Sequence, residues 1–110
     1  MSKIIMVVED NEDIREIIAI LLSEEQYEVR LCADAKSFRA DISGSNPDLV
    51  ILDVMLPDGN GLDLCAELKS LERTSTIPVL IMSAHASISE VTGACSPTGF
   101  IKNLSTSTTL

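Results

Sequence analysis

The sequence lacks any long apolar run. No uninterrupted hydrophobic stretch exceeds six residues, too few to span a hydrocarbon layer about 30 Å thick. Met1-Ser2-Lys3 leads straight into a strand-like run without the pattern of a cleaved signal, so a cytoplasmic protein with no membrane partner is the expectation. Cysteine is scarce: Cys32, Cys65 and Cys95 are odd in number and lack the paired spacing of a metal site. They read as buried or free thiols in a reducing compartment. Positive charge is also short. Eight Lys and Arg face 17 Asp and Glu, a net charge of −9. That balance argues against direct contact with nucleic acid by this domain and suits a divalent cation or a basic partner surface. The single histidine, His85, has no chemical company and reads as an exposed loop residue rather than a relay group.

What is present is a regular pattern. With 110 residues, 45% of them hydrophobic, the chain can form one domain with a real core. Asp48-Leu49-Val50-Ile51-Leu52-Asp53 is an unbroken apolar run ending in a carboxylate. A run without polar alternation suits a strand covered on both faces. Lys3-Ile4-Ile5-Met6-Val7-Val8 is a second such run and ends in Glu9-Asp10; Val79-Leu80-Ile81-Met82 is a third and ends in Ser83. Residues 27–32 alternate, as an edge strand does. Between these runs lie helical patterns. Asn11 or Asp10 can cap the first helix, whose apolar face is Ile14, Ile17, Ile18, Leu21 and Leu22, with Arg15 among its solvated residues. Residues 33–42 turn Ala35, Phe38 and Ile42 inward, and residues 62–71 turn Leu62, Cys65, Leu68 and Leu71 inward. Residues 54–61, with a proline and two glycines, read as a loop. Strands alternating with helices imply a parallel sheet with right-handed crossovers.

In such a sheet ligands bind at the carboxyl ends of the strands, and Glu9, Asp10, Asp53 and Ser83 converge there. Clustered carboxylates raise one another's pKa values, and a hard cation relieves the repulsion; Mg²⁺ favours one or two carboxylates together with phosphate oxygens. An aspartate can also attack phosphorus to give an acyl phosphate, and phosphoryl transfer needs mainly positioning and charge neutralisation. The competing structural reading makes Asp10 and Ser83 helix caps and Asp53 a turn former. Three such residues at the ends of apolar strands favour the chemical one.

Three stretches then carry a resemblance: Ile5-Met6-Val7-Val8-Glu9-Asp10-Asn11, Pro47-Asp48-Leu49-Val50-Ile51-Leu52-Asp53-Val54-Met55-Leu56-Pro57-Asp58-Gly59-Asn60-Gly61 and Pro78-Val79-Leu80-Ile81-Met82-Ser83-Ala84. In order and spacing, residues 3–83 resemble the receiver domain of bacterial two-component response regulators. The resemblance implies an α/β, flavodoxin-like, doubly wound parallel sheet. It implies Asp53 as phosphoacceptor from a sensor histidine kinase or phosphotransfer protein. Mg²⁺ would be held by Asp53, directly by Asp10, through water by Glu9, and by the backbone carbonyl of Met55. Ser83 matches the switch hydroxyl. The module catalyses transfer to its own aspartate and is not an independent enzyme.

The ending departs from that family, which has a fifth strand closing in Lys-Pro and then an amphipathic fifth helix. Here Lys102 is followed by Asn103, lies about three residues early, and is the only match for the phosphate-contacting lysine. The fifth strand and helix are therefore expected to be altered or missing, with the receiver domain over 1–104, atypical from about 91, and 105–110 a disordered or non-native tail. A shifted reading frame near Pro97 accounts for the abrupt change; a natural variant ending is the alternative. A missing fifth helix withdraws about three apolar side chains, worth roughly 1.5–3 kcal/mol each. The exposed C-terminal region is accordingly expected to be covered by a second copy, as a homodimer. The functional alternative is a phosphorylation-independent interaction domain with a vestigial acidic site. A phosphohydrolase built on Asp53 is disfavoured, since such enzymes want an acid two residues on, where Met55 stands.

Overall fold

The computed structural model describes residues 3–83 and 99–102. Its element order is β1 (Ile4–Val8), α1 (Glu12–Glu24), β2 (Glu28–Cys32), α2 (Ala35–Ser43), β3 (Leu49–Asp53), β4 (Met55–Leu56), β5 (Gly59–Asn60), α3 (Gly61–Ser70), β6 (Val79–Ser83) and β7 (Gly99–Lys102). Five strands form one sheet in the order β2-β1-β3-β6-β7, and each neighbouring pair is parallel. This is the doubly wound α/β arrangement expected from the unbroken apolar runs. β2, the alternating segment, lies at an edge. The fifth sheet position, expected to be altered or missing, is occupied by Gly99–Lys102. The anticipated fifth helix, His85 and residues 105–110 lie outside the described residues.

The sheet separates two apolar clusters, because successive side chains of a strand point to opposite faces. Met6, Val8, Val50, Leu52, Val79 and Ile81 join Ala35 and Phe38 of α2 and Leu64, Cys65 and Leu68 of α3 in one cluster. Ile5, Val7, Ile51 and Met82 join Ile18 of α1 in the other. α1 is capped by Asn11, whose side chain accepts from the Ile14 N–H. It ends in a Schellman motif: the Gln26 N–H reaches the Ser23 carbonyl, the Tyr27 N–H reaches the Leu22 carbonyl, and Gln26 has φ 67°.

Three expectations about packing need correction. Ile17 and Leu21 of α1 are more than half exposed rather than inward, leaving Ile18 as the buried residue of that helix. Leu71 is also more than half exposed, because α3 stops at Ser70 and Leu71 is its extended C-cap; Leu64 takes the buried position instead. Cys32 is a buried free thiol, whereas Cys65, also buried, is disulfide-bonded, against the thiol reading at that position.

Candidate functional site

Register decides which residues meet at the carboxyl rim. Val8 pairs with Leu52 and Asp53 with Met82, so the residue after β1, Glu9, emerges beside Asp53. One oxygen each from Glu9, Asp10 and Asp53 lie within 4.8 Å of one another, close enough to share a metal ion. Their settings differ: Glu9 is buried, Asp53 half-buried and Asp10 exposed. The anticipated acidic convergence is thus present.

Burial and like charge act together here. Burial pushes the Glu9 carboxyl up to about 8, aided by the nearby Asp53 and Asp10 and opposed by the Asn11 N–H. That N–H donates to Glu9 Oε2 at 3.0 Å. Burial likewise raises Asp53, helped by the charge of Asp10 and countered by hydrogen bonds from Glu9 and from the Met55 and Val54 N–H groups. Both carboxyls therefore hold a proton more readily than isolated ones when no cation is bound. A divalent cation can replace that proton, and hard carboxylate oxygens are the donors Mg²⁺ prefers.

The segment after Asp53 is shaped more than a plain loop. β4 and β5 pair antiparallel, Met55 opposite Asn60 and Leu56 opposite Gly59. The Met55 N–H points back to Asp53 Oδ1 at 3.4 Å, placing the Met55 backbone next to the carboxylate. Gly61 closes the hairpin against β3: its N–H donates to the Val54 carbonyl at 2.8 Å, and a Cβ there would run into the Asp53 carbonyl. Only glycine permits this approach. Ser83 ends β6 on the same rim, and its sheet partner is Lys102 of β7. The backbone therefore brings both to the rim that carries the acids.

Two residues of this region escaped the sequence reading. Arg15 of α1 donates to the Glu9 carbonyl at 2.9 Å and the Asp10 carbonyl at 3.4 Å. It pins the main chain of both acids; its charge alone had suggested a solvated side chain. Asp58, in the hairpin turn, accepts from the Ala35 and Lys36 N–H groups of α2. Nothing in the sequence pointed from Arg15 to the two carbonyls or from Asp58 to α2.

No helix among the described residues is long and apolar enough to cross a membrane. The family described as response regulator receiver domain matches residues 5–101. The alkaline phosphatase synthesis transcriptional regulatory protein SphR of Synechococcus elongatus is 44% identical over 89 residues, 73% of this chain and 34% of that protein. The chain thus spans about a third of the length of the curated relatives it matches. Among solved structures, the chemotaxis response regulator CheY4 of Vibrio cholerae superposes with a TM-score of 0.87 at 22% identity, over 94% of this chain and 88% of that one. The response regulator TrrA of Thermotoga maritima, solved in complex with Mg²⁺ and BeF, gives 0.80 at 26% identity, over 92% and 86%.

Proposed function

The chain belongs to the response regulator receiver domain family, and from that premise we propose that Asp53 is its phosphoacceptor. A histidine kinase or phosphotransfer protein supplies the phosphoryl group. The P–N bond of a phosphohistidine protonated on its other ring nitrogen breaks, the Asp53 carboxylate oxygen forms the new P–O bond, and the ring leaves as neutral imidazole. The domain catalyses this transfer to itself. Mg²⁺ fits the donor set of Glu9, Asp10, Asp53 and the Met55 backbone carbonyl; bound there, it neutralises the charge that develops on the phosphoryl oxygens. Glu9, whose carboxyl burial raises, would give up its proton to admit the cation. Asp10 stands at the exposed side of the cluster, Arg15 holds the main chain of the acid pair, and Gly61 keeps the following hairpin close to Asp53. Ser83 and Lys102 take the switch and phosphate-contacting roles, which their pairing at the rim supports. The domain is assigned to 1–104, in the cytoplasm and without direct contact to nucleic acid. A second copy is its further partner, through the C-terminal region, where β7 forms the sheet edge.

The observation that carries this reading is the three-carboxylate cluster at the strand ends with a half-buried aspartate in it. The interaction-domain alternative gives no reason for burying Glu9 against Asp53. The test is exposure to acetyl phosphate, or to beryllofluoride, with Mg²⁺, read by intact mass and by amide NMR on the parent and on Asp53→Asn. Modification of the parent alone is expected. A parent that neither binds Mg²⁺ nor takes up phosphate returns the domain to the interaction-module reading.

A further inference from the structure

We infer that Asp58 is a positioning residue for this site, tying the hairpin of residues 55–60 to the N-terminus of α2 and so fixing the Met55 backbone beside Asp53. The inference rests on the phosphoacceptor reading above.

The contact uses both carboxylate oxygens. The Ala35 N–H donates to Asp58 Oδ1 at 2.8 Å and the Lys36 N–H to Oδ2 at 3.0 Å. These are first-turn N–H groups with no partner inside the helix, at the end of α2 where negative charge is favoured. The helix has its own N-cap as well: Asp34 accepts from the Ser37 N–H at 2.8 Å. Asp58 is thus a second acceptor at the same turn, brought in from a different element. A hairpin of two two-residue strands has little stability alone. This one gains its anchorage from Leu56 against the core, from Gly59, close enough to α2 that a Cβ would lie 3.4 Å from the Ala35 Cβ, and from Asp58. Met55 begins β4, two residues from the Pro57-Asp58 turn, and its N–H faces Asp53 Oδ1. Releasing the turn from α2 frees the strand that carries Met55, and with it the carbonyl assigned to the cation.

The experiment is a calorimetric Mg²⁺ titration of the whole chain, comparing the parent with Asp58→Ala, Asp58→Asn and Asp34→Ala, with a thermal melt of each. Removing a group that orients a metal ligand typically weakens binding by 10–100-fold, and for this more distant contact about tenfold is expected in Asp58→Ala. Asp58→Asn, which keeps one acceptor, falls between it and the parent and serves if Asp58→Ala does not fold. Asp34→Ala lowers the melting temperature but keeps parental Mg²⁺ affinity, because it weakens the same helix turn without touching the hairpin. Acetyl phosphate labelling of Asp58→Ala recovers at saturating Mg²⁺. Parental affinity in both Asp58 variants, or an equal loss in Asp34→Ala, overturns the inference while leaving the phosphoacceptor reading intact. A parent that binds no Mg²⁺ defeats that reading and the inference with it.

Discussion

On one face of the sheet, α2 and α3 close over a cluster in which Phe38, Leu52, Leu64 and Ile81 are almost wholly removed from water. On the other, α1 buries only Ile18, and Ile17, Ile20 and Leu21 are each more than half exposed. Beside α1 an open groove is lined by Ile5, Leu22, Tyr27, Leu49, Ile51 and Leu80. The same strands supply both faces, so strand composition does not make the difference among the described residues. Among the described residues two helices cover the first face and one covers the second. Stability is therefore expected to be concentrated beneath α2 and α3.

The largest effect should come from breaking the sealed side. Phe38→Ala is expected to cost about 3–5 kcal/mol through lost transfer energy and a cavity. Ile20→Ala, on the open side, should stay within about 0.5 kcal/mol. Urea midpoints of the two variants check the contrast, and equal losses would show that the two faces share one core.

The next effect arises where the two faces meet, at the rim. A carboxyl raised in the folded state binds its proton more tightly there than in the unfolded chain. Its stabilising contribution is complete below the unfolded value of 4.5 and is lost as pH rises through about 8. Metal-free protein should accordingly lose stability between about pH 5 and pH 9, by an amount of order a few kcal/mol. Glu9→Gln should flatten that slope, and so should saturating Mg²⁺, which takes the place of the proton. Urea unfolding across that pH range, with and without Mg²⁺, reads the effect. A slope unchanged in Glu9→Gln assigns it to other groups.

How far the sequence foretold this arrangement differs from element to element. β1, β3 and β6 were legible because strands buried on both faces carry continuous apolar runs, and a carboxylate directly after such a run can only emerge at the rim. The α1 stripe was legible as a stripe, but periodicity does not say how much of it a neighbour will cover, and Ile17 and Leu21 stayed exposed. Leu71 was misplaced because the pattern continues one residue past the point where the backbone leaves the helix. The β4–β5 pairing, the grip of Arg15 on two carbonyls and the reach of Asp58 to α2 left no periodic trace. Each depends on a particular main-chain contact, local for the hairpin and Arg15 and distant for Asp58, which residue type alone does not encode.

A smaller, stabilising effect is expected at the end of α1. Gln26 holds φ 67° at the position of the Schellman motif that glycine normally fills. Gln26→Gly should relieve the left-handed strain, worth about 1–2 kcal/mol, at some cost in the freedom of the unfolded chain. The net gain should be about 0.5–1 kcal/mol. A differential melt decides the sign, and a loss would mean that the Gln26 side chain contributes more than its backbone costs.

The smallest change in intrinsic stability is expected from the paired substitution Ile17→Ser with Leu21→Ser, and it bears most directly on what covers the open side. More than half of each side chain already meets water, so the thermal midpoint in dilute solution should move by no more than about 0.5 kcal/mol equivalent. If a second copy lies over this face, the same variant should still lower the average mass seen by sedimentation at high concentration, because burying serine there returns little. An unchanged midpoint with a reduced mass identifies the face as an interface. A large fall in the midpoint at every concentration points instead to a segment of the same chain covering the face, and excludes a second copy from it.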